Sequence, residues 1–273
     1  MLNNTSFKIL AACFTIFSFV LISCDKDPVN QEPLNYKLRY SDSIFYLKSG
    51  NYEVAPLTQA SGTYEAFPDD LNIDPATGKI TISVNGKGGQ HSQMGLRYKI
   101  KFTSNSGQKD STYIILSGIN YQDRIYNMTQ ADSKISPIYN ADISKNTPGG
   151  IYTADRNKLA INAATGEIDF KQTVANGFFG GDPTNDDWRE VEISYKPNDA
   201  STKTNKINLI VYYYDTVNDI PSNVSTVMRA HQSQLLGIPE ANIPVTTAPV
   251  DASVNDLVSI TRPRPPCIII VGH

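Results

Sequence analysis

Apolar and polar positions alternate along much of the chain, the period of a strand with one face in a core. Leu34, Tyr36, Leu38 and Tyr40 share one face of such a stretch, and Ile207, Leu209, Val211 and Tyr213 share one face of another. Asn, Asp, Gly and Pro punctuate the runs, and Asn85-Gly86 is a two-residue hairpin signal. After residue 34 no long stretch holds a helical period. The pattern predicts an all-β chain, and the many Tyr, Val, Ile and Thr residues suit one.

The pattern is written twice. Gly62-Thr63-Tyr64-Glu65-Ala66, followed by Leu71 to Ile80, recurs 88 residues later as Gly150-Ile151-Tyr152-Thr153-Ala154 and Leu159 to Ile168. From 62 to 80, 9 of 19 positions are identical without a gap, where average composition would give about one. Tyr98, Ile100 and Phe102 then match Val191, Ile193 and Tyr195 at an offset of 93, and Tyr113 and Ile115 match Ile207 and Leu209 at 94. The second copy therefore carries about five extra residues between Ile168 and Val191. Two tandem antiparallel β-sandwiches are expected, over residues 35–122 and 123–216. A smaller β or extended segment follows over 217–273. It is proline-punctuated, and its apolar run Ile268 to Val271 should pair into a sheet built with residues after Thr216 rather than remain a sticky edge.

The segment Leu71 to Ile80 resembles the L-x-I-D-x-x-T-G-x-I signature of bacterial Ig-like and cadherin-like repeats. Asp74 or Asn162 can cap the turn, Pro75 presets φ, and Gly78 or Gly166 permits a positive φ before the next strand. The resemblance implies two tandem Ig-like units. The chain departs from those families after the isoleucine, where Thr81-Ile82-Ser83 and Asp169-Phe170-Lys171 replace their usual Gly-x-Pro step.

The first residues speak of export. Lys8 precedes an apolar run from Ile9 to Ile22, broken only by Thr15 and Ser18, too short for an ordinary membrane span. Leu21-Ile22-Ser23-Cys24 resembles the lipobox of bacterial lipoproteins. The resemblance implies cleavage of a 1–23 signal peptide, lipid on Cys24, and a 24–34 anchor and linker. Several acyl chains on one cysteine make such attachment effectively permanent, since each buried methylene adds about 0.8 kcal/mol. Asp25-Lys26-Asp27 is similar in part to the surface-export signal of Bacteroidota lipoproteins. The expected location is the outer membrane, with outward display implied by that signal.

Charge and chemistry narrow the function. A net charge of −3, from 24 basic and 27 acidic residues, gives no electrostatic case for nucleic acid. Once Cys24 is lipidated, Cys267 has no partner for an intrachain disulfide, and burial is its expected fate. His91, His231 and His273 lack the spacing of an H-x-x-x-H zinc site, and no G-x-S-x-G elbow or phosphate loop occurs. No catalytic residue is assigned. Asp69, Asp70 and Asp74, or Asp182, Asp186 and Asp187, could bind calcium, but Asp69 and Asp70 become Asn157 and Lys158 in the second copy, which favours solvated turns. No cofactor is expected.

The loop peculiar to copy two is the candidate ligand site. It places Phe178, Phe179, Asp182, Asp186, Asp187 and Trp188 together among glycines, aromatic platforms beside carboxylates that suit a sugar. The alternative is that Trp188 opens the next strand and the phenylalanines cover the end of the sheet. The expected function is non-catalytic binding or adhesion toward a glycan or envelope protein. An accessory glycan-binding subunit of an outer-membrane importer is the runner-up, and a hydrolase with an unrecognised site is the third reading. Cys24→Ala should abolish lipidation and leave the precursor uncut; metabolic labelling with a fatty-acid analogue checks this, and a labelled mutant would contradict it.

Overall fold

The computed structural model describes residues 36–83, 92–156, 158–224, 228, 231, 234, 235 and 265–272. The leader, Cys24 and the Asn85-Gly86 turn lie outside them. In the first repeat, β1 (Ile44–Phe45), β6 (Lys109–Leu116), β5 (Arg97–Ser104) and β3 (Gly62–Phe67) form one sheet in that order. It is faced by the pair β2 (Tyr52–Val54) and β4 (Ile80–Ile82). The alternation read from the sequence is what separates the faces: Tyr98, Ile100 and Phe102 of β5 are fully buried, while Arg97, Lys99 and Lys101 point away from the core. β3, β5 and β6 are antiparallel, whereas β1 runs parallel to β6.

The second repeat follows the same plan. β7 (Ile119–Asn120) pairs with β10 (Ile138–Tyr139), and β9 (Lys134–Ile135) pairs with β12 (Ile168–Asp169). The main sheet runs β11 (Gly150–Ala154), β13 (Asp187–Pro197), β14 (Asn205–Tyr214), β15 (Cys267–Val271), β8 (Arg124–Asn127). One core joins the layers: Ile135 and Ile168 pack with Val191, Ile193, Leu209 and Val211. The chain is all-β, with several sheets. Besides a 3-10 turn over Val217–Asp219, two helical pieces among the described residues stand outside the expected pattern. One is α1 (Phe170–Ala175), capped by the Asp169 carboxylate, which accepts from Gln172 N at 3.1 Å. The other comprises helical residues 222–224, 228, 231, 234 and 235.

The repeated turn works as its residues suggest. Asp74 Oδ1 accepts from Ala76 N and Thr77 N at 2.8 and 2.9 Å, and Asn162 Oδ1 accepts from Ala164 N and Thr165 N at 2.9 and 3.1 Å. Gly78 and Gly166 adopt φ of +69° and +73°. Each lies under a tyrosine ring, so a Cβ there would come within 2.7 Å of Tyr64 or Tyr152.

The duplication also extends upstream of what the sequence comparison caught. Tyr40 O–H donates to Gly78 O at 2.6 Å, and Tyr121 O–H donates to Gly166 O at 2.7 Å. Pro56 and Pro137 flank the same two glycines. These upstream pairs differ by 81 positions, against 88 for Gly62 and Gly150. The second copy therefore holds seven more residues between Pro137 and Gly150.

The expected match of Tyr113 and Ile115 to Ile207 and Leu209 is one residue out of register. Tyr98 pairs with Ile114 and Val191 pairs with Leu209, which sets the offset at 95. Side chains alternate across a strand, so a slip of one would have put outward Tyr113 onto inward Ile207.

The C-terminal run does enter a sheet, but not a separate one. β15 lies between β14 and β8, parallel to both. Ile268 and Ile270 face the core of the second sandwich. Cys267, Ile269 and Val271 face the other way, onto Tyr214 and, among residues after Thr216, Ile220, Val224 and Met228. The expected partners cover only its outer side, because a five-residue strand that is apolar on both faces needs two layers.

Gly78→Ala and Gly166→Ala should each destabilise the protein by at least about 1–2 kcal/mol, from the left-handed backbone alone, with ring displacement added. Alanine at Gly107, also at positive φ but with open space around it, should cost less. Chemical denaturation of the three variants checks the order.

Candidate functional site

Phe178 and Phe179 do not form an exposed platform. Both are 4 % exposed and belong to the core of the second sandwich. They meet edge to face with centroids 5.3 Å apart, and Phe179 packs on Tyr213 at 6.0 Å. The Arg189 guanidinium donates to Phe179 O and pins the loop. The reason lies in α1, which buries Phe170 and Thr173; the chain leaving it turns Phe178 and Phe179 into the same core as Phe170. The carboxylates diverge. Asp187 Oδ2 accepts from Thr184 N at 2.9 Å, Asp186 bonds the Tyr214 hydroxyl, and Asp182 is exposed. Of the three aromatics only Trp188 stays on the surface, 54 % exposed, paired across strands with Tyr212 at 6.5 Å between centroids.

A concave site lies elsewhere, at the junction of the two repeats. A cleft of about 410 Å³ opens between the outer face of the first main sheet and the loop that follows β10. The first repeat supplies Arg97, Tyr113 and Ile115, and the second supplies Asn140, Asp142, Ile143 and Lys145. The second wall falls within the seven residues that the first copy lacks. Arg97 stacks its guanidinium 4.1 Å above the Tyr113 ring, and Lys99 sits 5.7 Å from the same ring. Lys145 pairs with Asp142 at 3.3 Å. Ser144, donating from N–H and hydroxyl, holds the Asp142 carboxyl below its ordinary range. Ile143 presents an exposed apolar tip.

The cleft wall is held in a conformation its residues do not favour. Asn140 and Ala141 have φ of +56° and +54°, a region that costs a side chain roughly 1–2 kcal/mol. Hydrogen bonds fix it: Asn140 N donates to Gly118 O, and Gly118 N donates to Asn140 Oδ1, both at 3.0 Å. Beside them Asp199 Oδ2 accepts from Ser117 Oγ and from the Tyr139 hydroxyl at 2.8 Å each. Burial, with that carboxylate adding, pushes the Tyr139 phenol up to about 12. Thr202 N donates to Leu47 O at 2.9 Å and ties the β13–β14 turn to the first repeat. Sequence reasoning missed this site because the upstream part of the duplication went unread; the step in offset from 81 to 88 was the available signal.

Other polar clusters are spent on structure. Asp70 accepts from Gln93 N at 2.9 Å and from the Tyr98 hydroxyl at 3.2 Å, and burial pushes its carboxyl up to about 6. Asp74 caps its turn and points elsewhere. Among the described residues no three His, Cys, Asp or Glu side chains gather as a metal site. His231 Nδ1 lies 2.9 Å from Asp123 Oδ1, an ion-pair distance without hydrogen-bond alignment. Cys267 N donates to the same oxygen at 2.7 Å. This set resembles nucleophile chemistry in composition only: Cys267 and His231 are 2 % and 1 % exposed, and Asp123 anchors backbone.

The topology thus defines a tandem pair of Ig-like β units with a cleft at their junction. No family model matches the chain, and no curated protein matches it. Among solved structures it is similar to mouse clustered PcdhgC3 EC1-3, at 8 % identity over 64 % of this chain and 67 % of that one, with a TM-score of 0.17. Human CDH23 EC21-23 is similar at 10 % identity over 64 % of this chain and 63 % of that one, with a TM-score of 0.19. Scores this low carry no argument, so the fold assignment rests on strand order and register.

Phe178→Ala or Phe179→Ala should cost about 3–5 kcal/mol of stability, as for buried aromatics, whereas Trp188→Ala should cost far less. Thermal melting of the three variants checks the contrast.

Proposed function

We propose that this chain is a lipid-anchored outer-membrane protein that binds rather than catalyses, presenting its repeat junction to an acidic glycan. The observation that carries the reading is the junction cleft: Arg97 and Lys145 converge on it from different repeats, beside Tyr113 and Ile143. Clefts of roughly 300–1,000 Å³ at domain junctions, apolar with a few placed polar groups, are the usual seats of small ligands. A uronic acid offers what these residues ask for, a carboxylate for the cations and an apolar ring face for the side chains. Lys99 and Lys101 continue the positive strip along the exposed face of β5. The leader and lipobox read in the sequence support the location. Exposed Trp188, beside half-buried Tyr212, favours a second reading, a flat sugar platform on the other main sheet.

Glycan-array binding of the full chain in detergent separates the two. Arg97→Ala should weaken binding of acidic glycans about tenfold or more, the loss of ~1.4 kcal/mol, and added salt should weaken it further. Trp188→Ala should leave it unchanged. Loss with Trp188→Ala alone would move the site to the platform, and no acidic ligand on any array would overturn the cleft reading.

A further inference from the structure

In the first repeat, β1 is the parallel neighbour of β6: Ile44 pairs with Ile115, Phe45 with Leu116, and Ile115 N donates to Ser43 O at 2.8 Å. The corresponding positions of β14 are Ile210 and Val211, 95 residues on. There Cys267 pairs with Ile210, Ile268 with Val211, and Ile210 N donates to Pro266 O at 3.0 Å. β15 therefore occupies the seat that the first repeat gives to its own first strand. β8, which matches β1 at the upstream offset of 81, is displaced one strand outward and pairs with β15 instead.

From this we infer that the slot between β8 and β14 is a strand-acceptor site whose partner is the C-terminal strand of a second copy of this chain. Among the described residues, the groups that hold both ends of the strand come from before residue 236. Asp123 Oδ1 takes Cys267 N at its start, and Met128 N donates to Val271 O at its end, at 2.7 and 2.8 Å. The core takes Ile268 and Ile270. A donor strand from another copy meets the same receptor, residue for residue. The 29 residues between Leu235 and Pro265 span up to roughly 100 Å when extended, against roughly 20 Å across a five-stranded sheet. An empty slot would leave β8 and β14 with unpaired ladder groups, which strand addition satisfies whichever molecule supplies the strand. Reciprocal exchange closes a dimer; one-way exchange builds a linear chain.

The test uses full chains bearing Ile125→Cys with Ile269→Cys, positions paired across β8 and β15, in a Cys267→Ala background. An intramolecular disulfide runs as a monomer on a non-reducing gel; an exchanged strand gives covalent dimers or a ladder. Covalent multimers that increase with protein concentration, and that Ile125→Cys alone does not form, are expected. In parallel, two differently tagged full chains without these substitutions are incubated together and one tag is captured. Co-capture of the other is expected, and Ile268→Asp with Ile270→Asp in both chains should abolish it. Covalent monomer at every concentration, or no disulfide together with no co-capture, would overturn the proposal.

Discussion

The backbone groups of β8 and β14 face each other across a gap that only β15 fills. A parallel ladder on each side satisfies them, and Ile268 and Ile270 complete the core between the layers. The second sandwich is therefore unfinished until the chain end returns. The hydrogen bond from Cys267 to Asp123 closes a loop of 144 residues, and such long-range parallel pairing is entropically costly and slow. The first repeat carries no such debt, because β1 lies only about 70 residues from β6 in the same unit. Two copies of one plan thus differ in the order in which they can be completed.

What the copies share is narrower than a sandwich and better defined. Each has a tyrosine hydroxyl on the carbonyl of the turn glycine, a second tyrosine ring over that glycine, and a proline beside it. A glycine is required twice over, by its positive φ and by the ring that leaves no space for a Cβ. The exchange of Asp74 for Asn162 between copies is neutral here, since either side-chain oxygen takes the same two backbone N–H groups. Turn capping explains that position without any ion.

The parts legible in the sequence were those set by short-range rules. Alternation marked the strands, and the Leu71–Ile80 motif located the repeated turn with its caps and its glycines, because these depend on local backbone preference. The errors were all long-range. Tyr113 and Ile115 were placed one residue out of register because both faces of β6 carry large side chains, so periodicity alone does not choose between them. The apolar ends of Phe178 and Phe179 look the same to sequence whether they serve a ligand or a core; the turn after α1, which brings both into the core that Phe170 already occupies, decides it. β15 looked like part of a third element because nothing local says that its seat has been left open 57 residues earlier, beside Ile210 and Val211.

The three places where copy two is longer give the junction its meaning. The matched positions differ by 81 at the prolines, 88 at the turn, 93 at β5 and β13, and 95 at β6 and β14. Seven extra residues therefore lie after Pro137, five around α1 and two in the β13–β14 turn. The five around α1 are richest in aromatic side chains, and they are consumed closing the sandwich. The other two additions meet the segment that joins the repeats: Asn140 holds Gly118 just after β6, and the turn after β13 brings Asp199 to Ser117 and, within the first repeat, Thr202 to Leu47. Additions that a sandwich does not need for its own core, and that meet where two sandwiches join, act on the relation between them. They place Lys145 in the cleft that Arg97 lines from the first repeat, so the cleft belongs to the pair and to neither repeat alone.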